Sequence, residues 1–410
     1  MKMTLKTTFV SLLLMAVTML TVACSDDKEV MEERLLPEGF DARIDGICYR
    51  LQRASRVATV TAGDVYYAGD IVIPEQVTYE GVTYGVGEIA AGAFLDCENL
   101  HSVTIPNSVR TIGERAFMMC YALETVTLPE GLDVIRAETF SDCWALKAVT
   151  IPEAVEEIGR EAFFCCSSLE AIVVPDGVRR IGWRCFTGCV NLEGVALSAG
   201  LTTLPEECFA HCFKLKGVVV PEGVVEVAPH VFSNCVGLTE VTLPQTLKVL
   251  GRGVFEGCTA LKEVVLPEGL AETGAVLFYG CKSLTTVNWP LAEIAEGTFT
   301  GCVGLRDVEV PEGVVRIGTG AFSECSGMTT LVLPQTLQTI GGGAFRSCTG
   351  LREVWCRATT PPVTPYATEG TTMFEGVRLG DVALYVPANA LDDYGRSSPW
   401  KDFGRIRANV

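Results

Sequence analysis

Apolar and polar positions recur along most of this chain with a fixed period. Phe94, Phe117, Phe140, Phe163, Phe186, Phe209, Phe232, Phe255, Phe278, Phe299, Phe322 and Phe345 stand almost all 23 residues apart, and a cysteine follows each of them three residues later, from Cys97 to Cys348. A repeat of this length marks a solenoid, whose coils cannot bury their apolar faces alone and do so by stacking. Aligned on the phenylalanines, a unit reads I-G-x-x-A-F-x-x-C-x-x-L-x-x-V-x-[IL]-P-x-x-[LV]-x-x. In the second unit, Ile112, Ala116, Phe117, Cys120 and Leu123 follow helical spacing and predict a short helix or 3₁₀ turn. Val126 and Leu128 alternate with Thr125 and Thr127, which predicts a short strand. Pro129 ends that strand because proline has no N–H to donate. Strands from successive coils then stack into a parallel sheet at about 4.8 Å spacing, giving a body on the order of 60 Å long. Departures are few: Ser198 replaces the proline in unit five, unit nine is short before Ile294, and Met328 replaces a leucine.

Composition changes this picture little and the charge balance changes it more. The chain has 410 residues, 48% of them apolar, and a formal net charge of -18. The repeat makes this one elongated body where length alone would allow two or three domains. An acidic chain without basic runs argues against nucleic acid, which needs clustered Lys and Arg.

The chain begins with Lys2 and Lys6 ahead of an apolar stretch from Phe9 to Val22, which reads as a secretory signal over residues 1–23. Thr21-Val22-Ala23-Cys24 resembles the lipobox of bacterial lipoproteins, which implies acylation of Cys24 and attachment to a membrane. An ordinary cleavage that leaves Cys24 as a thiol is the other reading. Ser25-Asp26-Asp27-Lys28-Glu29 is similar to the acidic tether that sends such lipoproteins to the surface of some Gram-negative anaerobes, although a plain polar linker has the same composition.

The repeat consensus over residues 89–356 resembles the BspA-type leucine-rich repeat family of surface proteins. That resemblance implies an α/β solenoid, a right-handed array of twelve repeats with a stacked parallel sheet. The flanks fit it too. After a tether at 24–40, residues 41–88 hold Asp45-Gly46-Ile47-Cys48-Tyr49 and Tyr67 to Pro74, similar to the family's β-rich N-terminal cap. Residues 357–410 hold Ala383-Leu384-Tyr385-Val386-Pro387 and Trp400-Lys401-Asp402-Phe403, which resemble its strand–helix C-terminal cap. Thr359-Thr360-Pro361-Pro362 is expected to mark where the array stops. The resemblance further implies an outer-membrane, surface-exposed lipoprotein that adheres to host matrix proteins such as fibronectin or to other cells.

Candidate chemistry is sparse. Eighteen cysteines in an exported chain would ordinarily suggest disulfides. Twelve lie in one column, however, where parallel side chains are badly placed to bond, and they read as small packed hydrophobes. Cys185…Cys189 and Cys208…Cys212 could pair or hold a soft metal, but four converging ligands are absent. Glu130, Glu153, Asp176, Glu222, Glu268 and Glu312 follow the strand-ending proline or its equivalent and read as turn residues on a solvated edge. No nucleophile motif or phosphate loop occurs, so neither enzyme nor cofactor is expected.

A partner is expected where residues break the repeat. The outward strand positions Ala148, Ala171, Gly194 and Gly217, with Thr150, Val173, Ala196 and Val219, form an uncharged stretch; Glu240, Glu263, Asp307, Glu309 and Glu353 then turn it acidic. Tyr121, Trp144 and Phe213 follow the column cysteine where other units are polar or small, and Trp183 stands where others have Glu114 or Arg160. Half-exposed aromatics anchor protein interfaces and stack on sugars, although packing between coils also explains them. Protein or glycan partners, nutrient capture at the envelope, a lipid-anchored monomer, and an envelope scaffold without external ligand all remain open from these residues.

Overall fold

Each repeat makes one coil, and each coil meets the next through three backbone ladders. The computed structural model describes residues 39–364 and 372–409. The first ladder is built from the valine strands, among them Thr125–Thr127, Ala171–Val173 and Gly194–Ala196. They pair parallel and in register, so that Ala171, Gly194, Gly217 and Glu240 form one outward row. The second ladder joins two-residue strands such as Val134–Ile135, Glu157–Ile158 and Arg180–Ile181. The glycine after many of these isoleucines is dictated by the neighbouring coil. A Cβ on Gly113 would lie 2.3 Å from the Ala91 nitrogen, and one on Gly182 would lie 2.2 Å from that of Arg160.

Of the expected short helix or 3₁₀ turn, the third ladder takes the tighter form, with i→i−3 bonds such as Met118 N–H to the Arg115 carbonyl. Residues at helical spacing form a run of turns, with left-handed backbone two residues before and two residues after each phenylalanine. Arg115 (φ 57°) and Met119 (φ 61°) hold these places around Phe117, and Glu138 (φ 56°) and Asp142 (φ 59°) around Phe140. A left-handed residue in every four stops helix propagation. Alternate N–H groups then donate to the next coil, Phe94 to the Ala116 carbonyl at 2.8 Å and Phe117 to that of Thr139 at 2.9 Å. The spacing still selects the inward side chains: Ala116, Phe117, Cys120 and Leu123 are all fully buried.

The phenylalanines form a continuous stack along the core. Neighbouring ring centroids from Phe94 to Phe374 lie 4.8–5.9 Å apart, with planes 3–18° from parallel. That is offset-stacking distance. Phe374 carries the stack one coil past the Thr359–Pro362 stretch that the sequence marks as its end. Strand Ala383–Val386 likewise pairs parallel with Glu353–Cys356, and Arg405–Ala408 pairs with Ala383–Val386. The shortened unit nine is filled by Trp289, which packs edge-on against Phe299 at 5.7 Å and donates its indole N–H to the Glu293 carbonyl.

Different devices close the two ends. N-terminally, β1 (Ala42–Ile44), β2 (Ile47–Gln52) and β3 (Val57–Thr61) form a meander, and β3 joins β6 (Val82–Ile89). Between β3 and β6 come β4 (Gly69–Val72), which starts the valine ladder, and β5 (Gln76–Tyr79), a hairpin partner of β6. Tyr67 covers Phe94 at 4.7 Å and donates its hydroxyl to the Thr61 carbonyl. C-terminally, Trp400 and Phe403 meet Phe374 edge-on at 5.7 and 5.4 Å, next to the short helix Leu391–Arg396.

Removing one ring from mid-stack deletes contacts on both of its faces. Phe209→Ala is expected to cost about 3–5 kcal/mol, read as a large drop in the urea midpoint. A loss below about 1 kcal/mol would mean that the column repacks around the gap.

Candidate functional site

The outward side of the valine ladder carries an uncharged, exposed stretch in coils three to six. Strand alternation turns Val126 and Leu128 inward and leaves the residues on either side of the valine in solvent. Val173 and Val219 are 64% and 66% exposed, and Ala148, Ala171 and Ala196 are exposed as well. Gly194 and Gly217 continue the same row. A Cβ on Gly194 would meet nothing within 4 Å, so neither packing nor backbone geometry demands glycine there. One residue before the strip, Lys147 pairs with Glu124 at 2.6 Å, and Lys216 with Glu193. The strip ends at Glu240, in register with Gly217.

Of the four aromatics singled out in the sequence, the structure brings two together. Tyr121 and Trp144 lie in consecutive coils with ring centroids 4.2 Å apart and planes tilted by 33°. Trp144 is 47% exposed and donates its indole N–H to Asp142. Its other neighbour in the column is the small Ser167, whose hydroxyl donates to the Trp144 carbonyl. Phe213 lies in the same column three coils beyond Trp144, half-buried, with its ring edge-on to His211 at 6.1 Å. Trp183 belongs to a different column, before the phenylalanine and not after the cysteine. There it joins Arg184, whose guanidinium lies 4.6 Å from the Phe164 ring centre and pairs with Glu161 at 2.9 Å.

A further aromatic pair went unread in the sequence. Trp355 and Tyr385 sit in register on neighbouring strands, 3.9 Å apart and within 8° of parallel, on the outward side near the C-terminal end. The signal was available, because both occupy the residue after the inward valine or leucine of their strands.

The cysteine column is more than packed hydrophobes. Each thiol from Cys120 to Cys348 donates to the carbonyl of the phenylalanine in the preceding coil, at 3.1–3.3 Å. Burial pushes the thiols of Cys189, Cys235, Cys281 and Cys348 up to about 12. Cys185 and Cys208, beside the column, are raised for the same reason. Cys185, Cys189, Cys208 and Cys212 are buried free thiols. Among the described residues no group of three or more His, Cys, Asp or Glu side chains converges to hold a metal. Cys24, with the signal and most of the tether, lies outside the described residues; no helix among the described residues is long and apolar enough to cross a membrane.

Comparison with known proteins points one way. The profile of the BspA type leucine-rich repeat region matches residues 87–216, 179–292 and 277–390. A leucine-rich repeat protein from Bacteroides ovatus is similar over 90% of this chain and 100% of its own, with 28% identity and a TM-score of 0.72. A leucine rich cell surface protein from Faecalibacterium prausnitzii is 24% identical, with a TM-score of 0.55 over 83% of this chain and 99% of its own. The pneumococcal vaccine antigen PcpA shares the fold at 18% identity and a TM-score of 0.53, over 90% of this chain and 98% of its own. A search of curated proteins returned no match.

The buried thiols set an alkaline limit on stability. A thiol ionises near 9.0 when the chain is open, whereas the folded protein holds the Cys235 proton up to about 12. Between those values the open chain binds fewer protons, so each such thiol removes about 1.4 kcal/mol of stability per pH unit. The urea midpoint is expected to hold below pH 9 and fall steeply from there to pH 11. A flat profile would contradict the sealed column.

Proposed function

Because the chain belongs to the BspA-type leucine-rich repeat family, we propose that it is a lipid-anchored, surface-exposed envelope protein that binds a protein partner on the uncharged strip of its valine ladder. The observation that carries this reading is the exposure of Val173 and Val219 beside the small residues Ala171, Ala196 and Gly217, on a strip that gives way to Glu240 and Thr242 in the next coil. Such a surface lets a partner approach the sheet closely, and each covered valine gains roughly 25 cal/mol per Å² of apolar area removed from water. The ion pairs of Lys147 and Lys216 with Glu124 and Glu193 supply a polar rim. Net charge of -18 disfavours a nucleic-acid ligand. Acylation at Cys24 and the acidic stretch Ser25–Glu29 supply the anchoring part of the reading. By family resemblance the ligand class is host matrix protein, fibronectin being the first to try.

A second reading rests on Tyr121 and Trp144. An exposed indole backed by a second ring and flanked by a serine is also a platform for a sugar, which would make the chain a glycan-capturing lipoprotein. An envelope scaffold without external ligand is the third reading; it requires a periplasm-facing protein that survives protease treatment of intact cells.

Immobilised matrix proteins and a glycan array, probed with two variants, separate these readings. Val173→Glu with Gly194→Glu places two carboxylates on the strip and is expected to weaken matrix-protein binding at least tenfold while leaving the urea midpoint unchanged. Tyr121→Ser with Trp144→Ser should leave that binding intact. Equal binding by the folded strip variant and the unaltered chain would sink the first reading, and glycan binding lost only with the aromatic pair would establish the second.

A further inference from the structure

The valine ladder begins and ends on open strand edges. Among the described residues, β4 pairs only with β7 (Leu100–Thr104) and Arg405–Ala408 only with Ala383–Val386. The meander β1–β2–β3 extends the other side of the coil through β6 and β8 (Thr111–Ile112), so it does not continue the valine ladder past β4. An edge strand presents unpaired N–H and C=O groups, a template for another strand.

The two edges match in row, charge and apolarity. Following the register from strand to strand, Asp70 stands in the row of Ser102 and Thr125, and Arg405 in the row of Glu353 and Ala383. These are the same row, the residue before the inward apolar position. Adding one more coil step beyond Arg405–Ala408 would therefore set Arg405 beside an Asp70. The next position brings Ile406 beside Ile71; both are half-buried, as are Val195, Val241, Val287 and Val308 at the same place inside the array. The position after that pairs Arg407 with Val72, which is 69% exposed. Val65 and Tyr66, both strongly exposed, add apolar surface beside β4. Two arginines on the last strand stand out in a chain whose net charge is -18, and Asp70 is held in its row by the Ser102 hydroxyl at 2.6 Å.

We propose that β4 receives the C-terminal strand of a second copy of this chain, head to tail, so that the valine ladder runs on from one molecule into the next. The contact is heterologous, with different surfaces on the two partners. A step along the solenoid axis does not close a ring, so the product is a linear chain of copies.

Sedimentation velocity on the full chain carrying Cys24→Ala, which removes the acylation site, tests this over a range of protein concentration. The expected result is concentration-dependent growth of elongated species. Arg405→Glu alone, and Asp70→Arg alone, should each weaken association at least tenfold, and mixing the two single variants should restore pairing between them. Both residues are exposed, so the urea midpoints of the variants should match that of the parent. A parent that stays monomeric throughout overturns the proposal, as does association insensitive to both reversals or a mixture that fails to recover. If a strand of some other protein occupies β4 instead, the first of these outcomes follows.

Discussion

The bond from each column thiol, Cys120 to Cys348, to the phenylalanine carbonyl of the preceding coil is the constraint on which the rest depends. That carbonyl also accepts the N–H of its own coil's cysteine, as Phe94 does from Cys97 at 3.2 Å. It is thus satisfied from within the coil and from the next one, in the fully buried core. A buried carbonyl needs its partners, and the thiol is a donor small enough to reach it without displacing the ring. Serine would present a stronger donor but a more costly hydroxyl wherever the fit slipped. The same bond removes the thiols from chemistry, because a sulfur that is buried, donating and held protonated is neither nucleophile nor ligand. Core identity therefore forces any function out to the columns that the core leaves free.

Much of this was legible in the sequence, and the rest failed for definite reasons. Period and burial were readable because Phe, Cys, Leu and Val recur at fixed offsets, and side-chain direction follows from offset alone. Whether the Ala116–Cys120 segment is helix or turn was not, because i, i+3 and i, i+4 spacing describes both. The sign of φ decided it, and Arg115, Met119, Glu138 and Asp142 give no hint of left-handed backbone. Glycine does give one in later coils, where Gly253, Gly257, Gly297 and Gly301 hold the same two places. Reading those columns downward, and not each unit across, would have found the turns.

The candidate site was legible to a similar degree. The strip from Ala148 to Val219 follows from strand alternation and needs no three-dimensional information beyond register. The aromatics needed more. Trp144 and Trp183 both looked like exceptions to the repeat, yet one lies after the cysteine and the other before the phenylalanine, and the turn run separates those columns. Offset within the unit, and not rarity, decides which exceptions can meet. Trp355 and Tyr385 show the converse, since neither looks exceptional alone and register alone makes them a pair.

Closing a solenoid involves two separate tasks, and this molecule performs them with different residues. The ring faces at the ends of the phenylalanine stack must be covered, and Tyr67 at one end and Trp400 with Phe403 at the other do so with aromatic area. The ends of the backbone ladders need hydrogen-bond partners or solvent, and no ring can supply those. On the β6 side the N-terminal meander continues the ladder with paired strands. On the valine side no strand among the described residues continues it, and the terminal strands carry Asp70 at one end and Arg405 and Arg407 at the other. Charges on an edge deter indiscriminate pairing. When opposite signs sit in the same row at the two ends, they deter every edge except the complementary one, which turns a protective device into a selective one.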